Sequence, residues 1–159
     1  MSDEREPITP AGYDRLHKEL EYAKNVERPN NIKAIEEARA HGDLSENAEY
    51  HAAKEEQGLI AAKILKLEGI FSRAEIIDPK SYKGSDIVFG ATVYLIDTET
   101  DEKLSYQIVG TYEADIKKGT ISIESPIGKS LIGKQESDDV RVKAPGGMRE
   151  LSIQKVEYK

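Results

Sequence analysis

With 159 residues the chain suits one sizeable domain or two small ones, and 38% hydrophobic, 33% charged and only 6% aromatic residues fit a polar cytoplasmic protein with a long helical segment. The lack of cysteine excludes disulfides, thiolate metal sites and cysteine nucleophiles; no apolar run of about 18 residues and no apolar leader point to a membrane or to export. The net charge of −7 is uneven, with 17 acidic and 11 basic residues in 1–78 against 13 and 12 in 79–159, and it speaks against unaided nucleic-acid binding, because Lys and Arg on phosphates supply most non-specific affinity.

The first predicted element runs from Thr9 to about Gly42. Tyr13, Leu16, Leu20, Ala23, Ile32, Ile35 and Ala38 recur at helical steps and form one stripe. Thr9 before Pro10 fits an N-cap followed by proline at the first helical position. Pro29 interrupts the pattern and predicts a kink or local loosening. A second helix is predicted from about Glu46 to Ala74, with Ile60, Ile64, Leu67, Phe71 and Ala74 as a heptad-like seam. Only Gly42-Asp43-Leu44-Ser45 separates the two, so they form an antiparallel hairpin. About 30 residues per helix gives a reach of roughly 45 Å, ending in a polar tip.

After a linker at 78–85 the period changes. Val88–Asp97, Lys103–Val109, Thr120–Ile123, Val140–Lys143 and Leu151–Glu157 read as strands, mainly antiparallel, with Gly146-Gly147 as a hairpin turn. Ser125-Pro126 opens a short helix, Ile127–Ile132, that ends at Gly133. The fold class is therefore α+β: a coiled-coil hairpin over 1–78 and an antiparallel sheet domain with a short helix over 79–159.

Asp43 and Glu46 are the notable pair at the tip, three residues apart across the turn. Read alone, Asp43-Leu44-Ser45-Glu46 fits a capping box, favoured further by the helix macrodipole, as well as a functional pair. Arg39 and Lys54, read alone, are solvated surface charges. His41, Glu49 and His51 match no zinc-ligand spacing, and Tyr50 fits packing. Ser125, Pro126, Ile127 and Gly128 read as a turn into a helix. No phosphate loop, nucleophile elbow or dinucleotide fingerprint occurs.

The stretch from Glu36 through Gly42-Asp43-Leu44-Ser45-Glu46-Asn47-Ala48-Glu49-Tyr50 to Lys54 resembles the hairpin-tip signature of the Gre factors, bacterial transcript cleavage factors. Ser125-Pro126-Ile127-Gly128, Leu131-Ile132-Gly133-Lys134 and Ala144-Pro145-Gly146-Gly147 extend the resemblance over essentially the whole chain. It implies a coiled-coil hairpin and an FKBP-like second domain that docks at the secondary channel of bacterial RNA polymerase. It also implies stimulation of the polymerase's own cleavage of backtracked nascent RNA at its 3′ end. On this reading Asp43 helps hold a weakly bound Mg²⁺ of the polymerase active site, and Glu46 orients the attacking water. Arg39 and Lys54 contact the RNA, and Ser125, Pro126, Ile127 and Gly128 belong to the docking loop. The factor would be a monomer that holds no cofactor alone and is neither a nuclease nor a prolyl isomerase by itself. A non-cleaving Gre-like inhibitor, a coiled-coil foldase and a plain adaptor are the rival readings. The intact Asp43 and Glu46 oppose the first, and a second domain with Phe89 as its one Phe and no Trp opposes the second. The tip signature opposes the third.

Overall fold

Thr9 does cap the first helix: its hydroxyl accepts the Gly12 N–H at 3.1 Å, and its carbonyl takes the Tyr13 N–H. Helix α1, Pro10–Tyr22, follows in the computed structural model, which describes residues 5–43 and 46–159. A π turn, Ala23–Glu27, joins α1 to α2, Arg28–Arg39. Pro29 gives the cause. It has no N–H to donate, and its ring would press on the carbonyl four residues back. The wider turn accommodates it, with the Arg28 N–H reaching the Ala23 carbonyl five residues behind.

That extra residue resets the seam. Leu16, Leu20 and Ala23 are buried as the stripe predicts, and so are Ile35 and Ala38. Between them Asn31, 3% exposed, takes the inward place expected of Ile32, which is 47% exposed. Asn31 is satisfied there because its amide donates to the Ala53 carbonyl at 2.8 Å. Across the hairpin α3, Ala48–Arg73, buries Ala53, Ile60, Ile64, Leu67 and Ile70. Phe71 is half-buried, edge-on to His17, and Ile70 takes the place in the seam that was expected of it.

By packing, Asp14–Ala74 forms this helical unit, while Arg5–Tyr13 groups with Glu75–Lys159. The first residues join the second unit through a strand the sequence did not reveal. Strand β1, Glu6–Ile8, pairs with β2, Ala74–Ile76, and the Ile77 N–H donates to the Ile8 carbonyl. Each holds a single β-favouring residue, Ile8 or Ile76, unlike the equally short but Thr- and Ile-rich β5 segment that the sequence did mark.

The main sheet is built from β3 (Thr92–Asp97), β4 (Lys103–Val109), β5 (Thr120–Ser122), β6 (Asp139–Ala144) and β7 (Gly147–Glu157) in the order β5-β4-β3-β7-β6. All pairs are antiparallel except β4 with β5, which fits the mainly antiparallel sheet expected from the sequence. The connection between those two is long enough to return the chain in the same direction, as a tight hairpin cannot. A two-residue turn joins β6 to β7, but it consists of Pro145 and Gly146, with Ala144 opposite Gly147 already in β7. Helix α4, Pro126–Leu131, packs Leu131 into a core with Ile87, Val93, Leu95, Ile108, Leu151 and Ile153. Asp97 ends the inward-facing row of β3. The Glu99 N–H at 2.9 Å, the Thr100 N–H and the Arg149 guanidinium at 3.1 Å, outweighing partial burial, hold its carboxyl below the usual carboxylate range.

Candidate functional site

The tip is held by Asn47. Its side-chain oxygen caps α3 by accepting the Tyr50 N–H at 3.0 Å, while its amide donates to the Ala38 carbonyl in the last turn of α2 at 2.7 Å. One side chain therefore ties the end of one helix to the start of the next. The capping box on Asp43 and Glu46 is not the cap of α3, because both residues precede Asn47. Asp43 and Glu46 are exposed and flank Leu44 and Ser45, which lie outside the described residues.

The other tip groups have ordinary surroundings. His41 Nε2 lies 4.0 Å from Glu49 Oε2, both mostly exposed, and the Tyr50 and His51 rings meet edge to face. Glu49 sits in the first turn of α3, where the macrodipole favours an anion. Arg39 is exposed in the last turn of α2. Lys54 is exposed one turn into α3, with its ammonium 2.8 Å from Gln57 Oε1. Among the described residues no group of three or more His, Cys, Asp or Glu side chains could hold a metal ion.

In the sheet unit, Ser125 is the N-cap of α4: its hydroxyl accepts the Gly128 N–H at 3.1 Å and donates to the Ser122 carbonyl at 2.6 Å. Pro126 is exposed at the first helical position. Ile127 turns partly into the core and Gly128 is buried, so these two shape the loop from beneath. The accessible face of this segment is Glu124, Pro126 and Lys129, of which only Glu124 lies outside the 125–129 stretch that the resemblance marks.

Two family descriptions divide the chain between them: "Transcription elongation factor, N-terminal" matches residues 6–76 and "Transcription elongation factor, GreA/GreB, C-term" matches residues 83–158. The chain belongs to the GreA/GreB family of transcription elongation factors. A "Transcription elongation factor GreA" of Xylella fastidiosa is 57% identical over 155 residues, covering 97% of this chain and 98% of that protein. Another of the same description from Ruegeria pomeroyi is 54% identical over 155 residues, covering 98% and 99%. Among solved structures, GreA factor homolog 1 (Gfh1) of Thermus thermophilus is 33% identical, covering 96% of this chain and 99% of that one, with a TM-score of 0.44.

Membership makes the chain a Gre-type elongation factor. Asn47 is the tip residue that sequence reasoning passed over. Its signal was present, since Asn is among the preferred helix N-caps, but the acidic pair beside it offered a competing cap. No helix among the described residues is long and apolar enough to cross a membrane.

Proposed function

We propose that this Gre-type factor binds RNA polymerase through its sheet unit and uses its hairpin tip to stimulate the polymerase's intrinsic cleavage of backtracked nascent RNA. The observation that carries the proposal is a pair of exposed carboxylates, Asp43 and Glu46, at a turn whose helices are tied together by Asn47. Docking falls to Ser125, Pro126, Ile127 and Gly128, with Glu124, Pro126 and Lys129 forming the face that touches polymerase. Arg39 and Lys54 contact the extruded RNA 3′ end.

Mg²⁺ suits this tip only as a shared ion. It prefers six oxygen ligands, and two exposed carboxylates supply a fraction of that shell. Asp43 would hold it together with oxygens of the polymerase and the RNA; when bound, it stabilises charge on the oxygens exchanged in phosphodiester hydrolysis. Glu46 orients the water and accepts its proton, a contribution worth about 10²–10⁴-fold when well placed. The chain by itself is neither a nuclease nor a prolyl isomerase.

Titrating Mg²⁺ against the cleavage rate of stalled complexes tests the role of Asp43. The factor should lower the Mg²⁺ midpoint, and Asp43→Asn, which keeps shape and removes charge, should raise it again. Identical midpoints with wild type, Asp43→Asn and no factor would rule out metal recruitment.

A further inference from the structure

Away from the tip, the hairpin carries a groove of about 580 Å³ between α2 and α3, with Ile32 and Leu65 among the side chains that line it. All of its lining residues belong to the helical unit. Leu65 is 76% exposed and Ile32 is 47% exposed. Single exposed apolar residues are ordinary on a surface. Two in one groove of a two-helix layer mark a face that lacks a covering layer.

The α3 wall of the groove is a second stripe beside the buried seam: Lys54, Gly58, Ala61, Leu65 and Glu68, at steps of four, three, four and three. This stripe is complementary to itself about Ala61. Lys54 and Glu68 lie seven residues to either side, about 10.5 Å along the helix. Gly58 lies three residues before Ala61 and Leu65 four after it. Turned end for end, the stripe therefore sets an ammonium against a carboxylate and Leu65 against a gap, since a Cβ on Gly58 would meet nothing within 4 Å. Both charges are within reach of a partner. Lys54 is exposed, and Glu68 is half exposed, with its carboxylate 3.6 Å from the Lys24 ammonium. Arg28, on the α2 wall, takes no part in that symmetry.

We propose that this groove seats a second copy of the chain, with two α3 helices lying antiparallel across a twofold axis at Ala61. Such an interface repeats each contact twice: Lys54 meets Glu68 of the second copy, and Leu65 fills the space over its Gly58. Covering Leu65 and Ile32 drives the association. Exposed ion pairs add little energy, so Lys54 and Glu68 serve mainly to fix the register. A parallel pairing would instead set Lys54 against Lys54 and Leu65 against Leu65, leaving the gap at Gly58 open. Pairing also covers Lys54. The monomer expected from the resemblance is then the working form and the pair a resting form, a consequence that rests on the RNA contact proposed for Lys54.

Sedimentation velocity of the full chain should show a monomer–dimer equilibrium between about 10 μM and about 1 mM. Leu65→Glu, at an exposed position, should weaken it by about 10-fold or more. Lys54→Glu and Glu68→Lys should each weaken it, and the two together should restore it. A monomer throughout would leave the groove to some other occupant and overturn the proposal, as would a dimer indifferent to Leu65→Glu. No recovery in the double variant would overturn the antiparallel register. Because the chain has no cysteine, the axis can be tested by cross-linking. Under mild oxidation Ala61→Cys should close a disulfide between copies, whereas Leu59→Cys, exposed on α3 but outside the groove, should not. Equal yields would overturn the axis at Ala61. The locked Ala61→Cys dimer should stimulate no cleavage until it is reduced. Stimulation by the locked dimer would remove the resting role. No stimulation by wild type would sink the functional reading instead, and sedimentation would still decide whether the copies pair.

Discussion

The hairpin and the sheet unit are stabilised in different ways. In the sheet unit, Ile87, Leu95, Ile108, Leu131, Leu151, Ile153 and Val93 are almost wholly withdrawn from water. Two helices side by side cannot enclose a core in that way. Their seam is a single row of small and medium side chains, and polar devices complete it: Asn31 bonded across to Ala53, a π turn before Pro29, and Asn47 joining the two helix ends. The contrast is consistent with the division of roles proposed above. A unit with a closed core can present a fixed docking face, whereas a slim hairpin leaves charged residues such as Asp43 and Glu46 in solvent for a partner to use.

Cutting a large side chain from the sheet core should break that contrast most strongly. Leu151→Ala should cost about 3 kcal/mol, from lost burial and the cavity left behind. Hydrogen exchange should register that loss in amides of the main sheet, while those of α2 and α3 change little. An equal loss in the hairpin would mean that the two units share one stability.

Removing the tie at the tip should have a smaller and more local effect. Asn47→Ala deletes the α3 cap and the bond to Ala38, at a cost of about 1–2 kcal/mol. Faster exchange should appear in the first turn of α3 and the last turn of α2. Unchanged exchange there would show that the tip is held by something else.

The smallest effect should be one of pH. The folded carboxyl of Asp97 titrates below its ordinary value, so its contribution is complete above that value, about pH 4, and is lost as pH falls through the folded pKa. Asp97→Asn should therefore be less stable than wild type at neutral pH, with the gap narrowing below about pH 4. Parallel stability curves for the two proteins across that range would contradict the assignment.

Much of this was legible in the sequence, and the losses have physical causes. The five main strands are rich enough in Val, Ile, Thr and Tyr to be read. The hairpin seam was legible at Leu16, Leu20 and Ala23 and again at Ile35 and Ala38. Between them the π turn shifted the register, an effect that a fixed helical period cannot express, so Ile32 was expected where Asn31 lies. Strands β1 and β2 each carry a single β-favouring residue, and the bond from the Thr9 N–H to the Glu113 carboxylate joins positions 104 residues apart. At the tip, the signature picked out Asp43 and Glu46, whereas the role of Asn47 depends on an inter-helix distance. In the docking loop, composition could not separate the exposed Pro126 from the buried Gly128.

The division of labour between the two units is tested most directly by measuring binding and cleavage on the same stalled polymerase complexes. Asp43→Ala and Glu46→Ala should each slow cleavage at saturating factor by about 10²-fold, equivalent to about 2.7 kcal/mol of transition-state stabilisation. Their affinity for polymerase should stay within about twofold of wild type, because the proposed docking loop is the one around Ser125. If affinity falls as steeply as cleavage, the tip is a binding element and the assignment of chemistry to its carboxylates is wrong.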